Sequence, residues 1–405
     1  MSPTPPLRRN RDFQLLWSGQ LVSTLGSWIS AVALPLLVLD LTGAPFDAGL
    51  VRFAATLPLL VFYLPAGVIV DRYDRRRVML ATESIRLAAA AVLAAVVALG
   101  AATPPFVILV ALIIGTGATF FQVAETSAIP RLVPSIQLPT ALAQNAARAS
   151  VGLIAGQTLG GVLYAVGRAV PFVADSVSYL VSFASIVLLR RPLQASVGAG
   201  PRGGPMREGL AWLWSDPFLR TTMLLFAANN IVVNSLYVAL IVIARALGAT
   251  SAEIGVMLAC IGVGGLAGSV VAMRVATLLP LRTVIVLLLG LKAVLTPVLL
   301  FMPNALSLGL VFGAMFFVDA TGDAAVGARQ LAAIPDRLQG RVNGAIRVVT
   351  LGSIPVASLL VGALLQWAGP TATLGLLAAL MIATTAAAIL SAALRAPPPL
   401  APARA

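Results

Sequence analysis

Gly67-Val68-Ile69-Val70-Asp71-Arg72-Tyr73-Asp74-Arg75-Arg76-Arg77 closes one long apolar run, 48–70, and opens another, 78–101. Two acids and a knot of arginines compressed between such runs form a tight polar hinge. A helix needs ~20 predominantly apolar residues to cross a bilayer, and the runs on both sides are that long. The stretch therefore reads as the loop between two membrane-crossing helices. Working outward, runs of the same kind recur near 14–39, 105–129, 140–166, 170–189, 218–245, 253–276, 283–302, 306–328, 342–367 and 371–394.

Composition agrees with twelve spans. Of 405 residues, 59% are hydrophobic and only 10% are charged. A soluble domain carries ~25% charged residues, so the polar surface is too small to cover a water-soluble globule. The runs are continuous rather than alternating, which excludes a membrane β-barrel. The net charge of +13 does not indicate nucleic acid. The arginines interleave with the apolar runs and fall mostly on one side of them, instead of forming one basic face. That asymmetry predicts both termini in the cytoplasm and contact with anionic lipid.

Residues 191–215 are rich in Arg, Gly and Pro and read as a flexible cytoplasmic linker. They divide a six-span bundle at 12–190 from another at 216–395, with short tails at 1–11 and 396–405. The halves echo each other at an offset of about 200 residues. Asp12-Phe13 returns as Asp216-Pro217-Phe218, and Gly67 returns as Gly268. Asn145 and Arg148 after Pro134 return as Asn343 and Arg347 after Pro335. In the second half Ala272 stands where Asp71 does.

The arginine-rich hinge resembles the signature between helices 2 and 3 of the major facilitator superfamily. Asn10-Arg11-Asp12-Phe13, the following Trp17, Gly19 and Gln20, and Gln339-Gly340-Arg341-Val342-Asn343-Gly344 are similar to the drug and siderophore exporter branch. That branch contains the macrolide exporters and the enterobactin exporter. The resemblance covers nearly the whole chain. It implies an all-α membrane protein of two pseudo-symmetric six-helix bundles, with spans 1, 4, 7 and 10 lining a central cavity. It also implies a gate latch formed by Gly67, Asp71, Arg72, Asp74, Arg75, Arg76 and Arg77, with the acid set against helix 11. Exporters of the superfamily carry a glycine-rich signature in span 5 that ends Gly-Pro-x-x-Gly-Gly. Here Gly152, Gly156, Gly160 and Gly161 are present, but Gln157 replaces the proline, and the eroded counterpart in span 11 keeps Pro355. Glycine at this spacing lets helices approach closely, so ordinary packing explains it equally. Span 4 also lacks the arginine that the superfamily often links to proton coupling.

Charges at membrane depth cost ~2.5–3.5 kcal/mol each on insertion scales, so each is a candidate for function. Asp319 and Asp323 lie four apart on span 10, where mutual repulsion favours a proton on one of them. The alternative is pairing with Arg329 or Arg347. Glu125, at the corresponding depth of span 4 with Gln122 one turn before it, is a third proton-coupling candidate. Lys292, the sole lysine, lies mid-span 9 and must turn inward or snorkel. Arg52 either faces the cavity or pairs with Asp47. Glu83 and Arg86 read as an ion pair near the loop, and Asp175 as a charge at the start of span 6. Asn229, Asn230, Asn234 and Tyr237 in span 7, with Gln20, Ser23 and Thr24 in span 1, are cavity candidates or interhelical hydrogen-bonding partners.

The chain has no histidine and one cysteine. A histidine-based triad is impossible, a lone thiol cannot form an internal disulfide, and the phosphate-cradling Gly-Lys-Ser/Thr loop is absent. No enzyme, metal or cofactor is expected. The leading expectation is a monomeric exporter of an amphipathic small molecule in a bacterial cytoplasmic membrane, driven by proton antiport. A facilitator or importer of lysolipid or another acyl ligand, and a sensor or scaffold without transport, stay open.

Overall fold

The computed structural model describes residues 6–194, 206–334 and 339–395, and among them regular structure is helical throughout. Long helices follow in chain order: α1 (Arg11–Thr42), α2 (Pro45–Arg72), α3 (Arg75–Ala98), α4 (Pro104–Leu132), α5 (Leu138–Val166) and α6 (Val170–Val187). A short α7 (Met206–Ser215) leads into α8 (Pro217–Ala246), α9 (Ser251–Leu278), α10 (Leu281–Val298), α11 (Ala305–Ala333), α12 (Gln339–Trp367) and α13 (Gly369–Leu390). Twelve helices are long and apolar enough to cross a membrane, and their order matches the twelve apolar runs.

Helix ends follow local chemistry. Asn10, Asp74 and Asp216 accept backbone N–H groups at the starts of α1, α3 and α8. Asn304 and Ser307 bond reciprocally at the start of α11. Side-chain acceptors at these positions satisfy donors that the helix leaves free. Gly43 ends α1 at φ 67°, a left-handed conformation that glycine adopts without a Cβ penalty.

Two features of the linker and tail depart from expectation. Residues 206–215 are helical instead of irregular, and α7 packs on α12. The last span ends at Leu390 rather than at 394. The other linker residues, 195–205, and the tail 396–405 lie outside the described residues.

The chain divides into two compact units. The first is Met1–Pro201 with Thr250–Ala259; the second is Arg202–Ala249 with Cys260–Ala405. The first turns of α9 join the first unit because Gly161 of α5 sits against the backbone of Ser251 and Gly255. Without side chains, these backbones approach closely.

Each unit has the same internal topology. In the first, α1 packs on α5 and α6, and α3 packs on α4 and α6. In the second, α8 packs on α12 and α13, and α10 packs on α11 and α13. Close glycine contacts repeat as well. Gly115 of α4 lies on the Ala55 backbone of α2, while Gly264 and Gly268 of α9 lie on Gly313 and Phe317 of α11. α1 and α8 are the most buried spans of their units, at 61% each, which makes them the central helices. Large apolar side chains such as Val92, Val173, Leu180, Leu287, Val294 and Leu310 are exposed on the outside. A soluble monomer rarely exposes such area; here it is the surface that lipid covers.

Candidate functional site

The arginine-rich hinge is the first constellation. Asp74 caps α3 by accepting from the backbone of Arg77 at 3.1 Å. Arg75 turns inward and donates to the carbonyls of Ser127 at 2.8 Å and Leu193 at 3.3 Å. Arg76 donates to the carbonyl of Val187, the last residue of α6, at 2.5 Å. These two arginines tie the α2–α3 turn to α4 and α6, over a core of Leu16, Met79, Phe121, Leu132 and Ile186. Asp71 pairs with Arg75 at 3.7 Å, yet its side chain is 67% exposed. Arg72 and Arg77 are exposed. A Cβ built at Gly67 meets no atom within 4 Å, whereas one at Gly268 collides with Phe317. The two glycines share a repeat position but differ in packing.

The second constellation lies in the second unit. Lys292 of α10 is 1% exposed. Its ammonium donates to Asn229 Oδ1 of α8 at 2.7 Å and forms a salt bridge with Asp319 of α11. Asn229 in turn donates to Asp319 at 3.1 Å. A small cavity opens beside these three groups, lined by Phe226, Ile285, Leu288, Leu289 and Gly322. Of the two expected arrangements the lysine takes the inward one, with its ammonium buried inside the second unit. The sequence expectation for Asp319 was repulsion by Asp323 or pairing with Arg329 or Arg347. Among the described residues Asp319 pairs with Lys292, 27 residues upstream on another helix. The side chains of Asp323, Arg341, Asn343 and Arg347 lie outside the described residues.

In the first unit, Glu125 of α4 pairs with Arg148 of α5 at 2.6 Å, with both side chains 11% exposed. Arg148 was noted in the sequence only as a repeat marker. It answers the missing span 4 arginine with a cation on the neighbouring helix. Gln122, one turn from Glu125, is exposed.

In span 1 the polar side chains make hydrogen bonds within the first unit. Gln20 is 4% exposed and donates to Ser182 of α6 at 2.6 Å, and Ser23 is 2% exposed. Thr24 donates to the carbonyl of Gln20 and packs on Gly152. These side chains are engaged inside the first unit, because α1 is central and turns its polar stripe toward α5 and α6. In span 7, Asn229 belongs to the lysine cluster, Asn234 bonds to the carbonyl of Asn230, and Tyr237 is buried. Arg52 is half-buried in α2. Gly156 and Gly160 lie against α1 at Leu25, Trp28 and Ile29, and Pro355 sits within α12.

Glu83 and Arg86 pair at 3.4 Å, and both are buried inside the bundle. Asp175, expected near a helix start, is 0% exposed and accepts from Ser30 at 2.5 Å. Arg86 and Lys292 occupy matching places: each lies eleven residues past the first residue of its helix, Arg75 and Leu281. Each unit thus buries one cation at the same point of the repeat. Among the described residues no cluster of metal-ligating side chains is present.

Comparison with known proteins agrees with this architecture. A family model described as transmembrane secretion effector matches residues 1–399. The chain is 28% identical over 392 residues to the multidrug efflux pump Tap of Mycolicibacterium fortuitum, covering 89% of this chain and 90% of the relative. It is also 28% identical over 182 residues to macrolide efflux protein A of Streptococcus pyogenes, covering 44% of this chain and 45% of that one. A crystal structure of a bacterial homologue of the iron transporter ferroportin superposes with a TM-score of 0.72 at 16% identity, covering 95% of this chain and 99% of that chain. The chain belongs to the transmembrane secretion effector family of the major facilitator superfamily, and it is a multi-pass membrane transporter rather than an enzyme.

Proposed function

We propose that the protein is a secondary-active exporter that moves an amphipathic small molecule across a bacterial cytoplasmic membrane in exchange for protons. It works as a monomer by alternating access, with both termini in the cytoplasm. The kinship with multidrug and macrolide efflux proteins supports the substrate class and the outward direction.

The observation that carries the proton-coupled reading is the buried Lys292–Asp319 pair. At membrane depth neither charge is tolerated alone, so the two are bound to each other's protonation state. A proton on Asp319 neutralises the carboxylate and releases Lys292 to Asn229 and the adjoining cavity. Loss of that proton restores the pair. A chain without histidine must run such exchange on carboxylates. Glu125 with Arg148 provides a second acid–base pair of the same kind in the first unit. Asp323 remains a candidate on the same helix face as Asp319. Asn230, Asn234 and Tyr237 are proposed substrate contacts from span 7. Asp71, with a side chain two-thirds exposed and paired with Arg75 at 3.7 Å, is placed to exchange partners as the gate latch.

Intracellular accumulation of a macrolide and of a cationic dye tests this. Cells expressing the protein should accumulate less of either compound, and a protonophore should abolish the difference. Asp319→Asn should raise accumulation to the level of cells lacking the protein, with the variant still present in the membrane. Extrusion that persists without a proton gradient would overturn the reading.

A further inference from the structure

The first unit buries a polar cluster used neither by the hinge nor by the Glu125–Arg148 pair. Along one face of α6 lie Asp175, Tyr179 and Ser182, opposite Ser30, Ser27 and Gln20 of α1. Ser30 donates to Asp175 at 2.5 Å, Ser27 lies 3.4 Å from the Tyr179 hydroxyl, and Gln20 donates to Ser182 at 2.6 Å. From α3, Arg86 donates to Ser27 at 2.9 Å and stacks 4.1 Å from the Tyr179 ring centroid. Glu83 accepts from Ser182 at 2.8 Å.

Charge does not balance in this cluster. Glu83 and Asp175 are both 0% exposed, and one cation, Arg86, faces them. The direct ion pair goes to Glu83, at 3.4 Å. The close partners of Asp175 are hydroxyls: Ser30, Ser178 and Tyr179. Its other ionisable neighbours are Arg86 and, beyond it, Glu83. α4 adds Glu125, already neutralised by Arg148 of α5. With both acids ionised, one uncompensated negative charge would sit inside a membrane-spanning bundle, which is strongly unfavourable.

We propose that Asp175 is a proton-binding site, holding a neutral carboxyl in the packed first unit and exchanging that proton during the transport cycle. Hydroxyl partners fit this role because each can donate to the carboxylate or accept from the acid. The 2.5 Å spacing to Ser30 suits either direction. Exchange requires α1 and α6 to part enough for water to reach the site. The transport role rests on the proton-driven reading above; the protonation state does not.

Two measurements separate these. Infrared titration of the full chain in lipid should show a protonated-carboxyl band persisting through neutral pH. The band should disappear in Asp175→Asn and shift without loss in Asp175→Glu, which serves if the asparagine variant does not assemble. No such band at neutral pH, or a band indifferent to substitution at Asp175, would overturn the proposal. Proteoliposomes then address transport. Asp175→Asn should keep substrate counterflow and lose accumulation driven by a pH gradient; unchanged gradient-driven accumulation would refute exchange at this site. If wild-type protein shows no gradient-driven accumulation, the proton-antiport reading fails, and with it the exchange claim, while the infrared result still decides the proton.

Discussion

Lys292 and Asp319 show how a buried charge acts in this protein. Each is held by the other, so removing one strands its partner in a low-dielectric interior. Breaking a buried pair costs ~3–5 kcal/mol, whereas replacing both members by apolar residues is often neutral. Lys292→Met and Asp319→Leu should therefore each lower stability by about that amount, and the double variant should recover most of it. Thermal unfolding in detergent checks this; additive losses would mean that the two charges are not coupled. The candidates Asp319, Lys292 and Glu125 were legible in the sequence because isolated charges stand out in apolar runs. Their partners were not. Spacing along one helix pointed from Asp319 to Asp323, but the actual partner comes from another helix, 27 residues away. Arg148 did not stand out as a functional group because it lies in the polar first third of α5, where a charge needs no special explanation.

Between elements, glycine sets how closely helices meet. Gly156 and Gly160 of α5 lie against the backbone of α1 at Leu25 and Ile29, and an added Cβ has no flexible neighbour to displace at Ile29. Gly160→Leu should cost at least the ~1–3 kcal/mol typical of overpacking and reduce the folded yield in size-exclusion chromatography. Gly67→Ala should leave that yield unchanged, because the methyl enters open space; an equal loss in both would contradict the packing described. The membrane-spanning helices were legible throughout, since runs of about 20 apolar residues have no other stable outcome in lipid. Their ends extend beyond the apolar runs because Pro, Asn and Asp at the boundaries start helices in polar surroundings, as at Asp216–Pro217. The α7 helix was hidden by the Gly/Pro composition of the segment before it.

At the scale of the whole chain, the duplicated topology supports the proposed alternating access. The two units are built alike, each around a central helix, and among the described residues Arg86 and Lys292 are buried at matching positions of them. The repeat was visible in Asp12 and Asp216 and in the recurring glycines. The matching burial of Arg86 and Lys292 was not, because the two residues differ in type and their surroundings come from different helices. The arginine hinge fastens α3 to α4 and α6 within the first unit, so Arg75→Ala should slow transport more than it lowers substrate affinity. Comparing turnover with equilibrium binding checks this, and an equal effect on both would place Arg75 at the substrate instead. Proton exchange itself is read most directly by a pH-sensitive dye trapped inside proteoliposomes preloaded with a macrolide. The account predicts that substrate leaving through the protein acidifies the lumen and that Asp319→Asn abolishes the signal. Substrate efflux with no change in lumenal pH would contradict it.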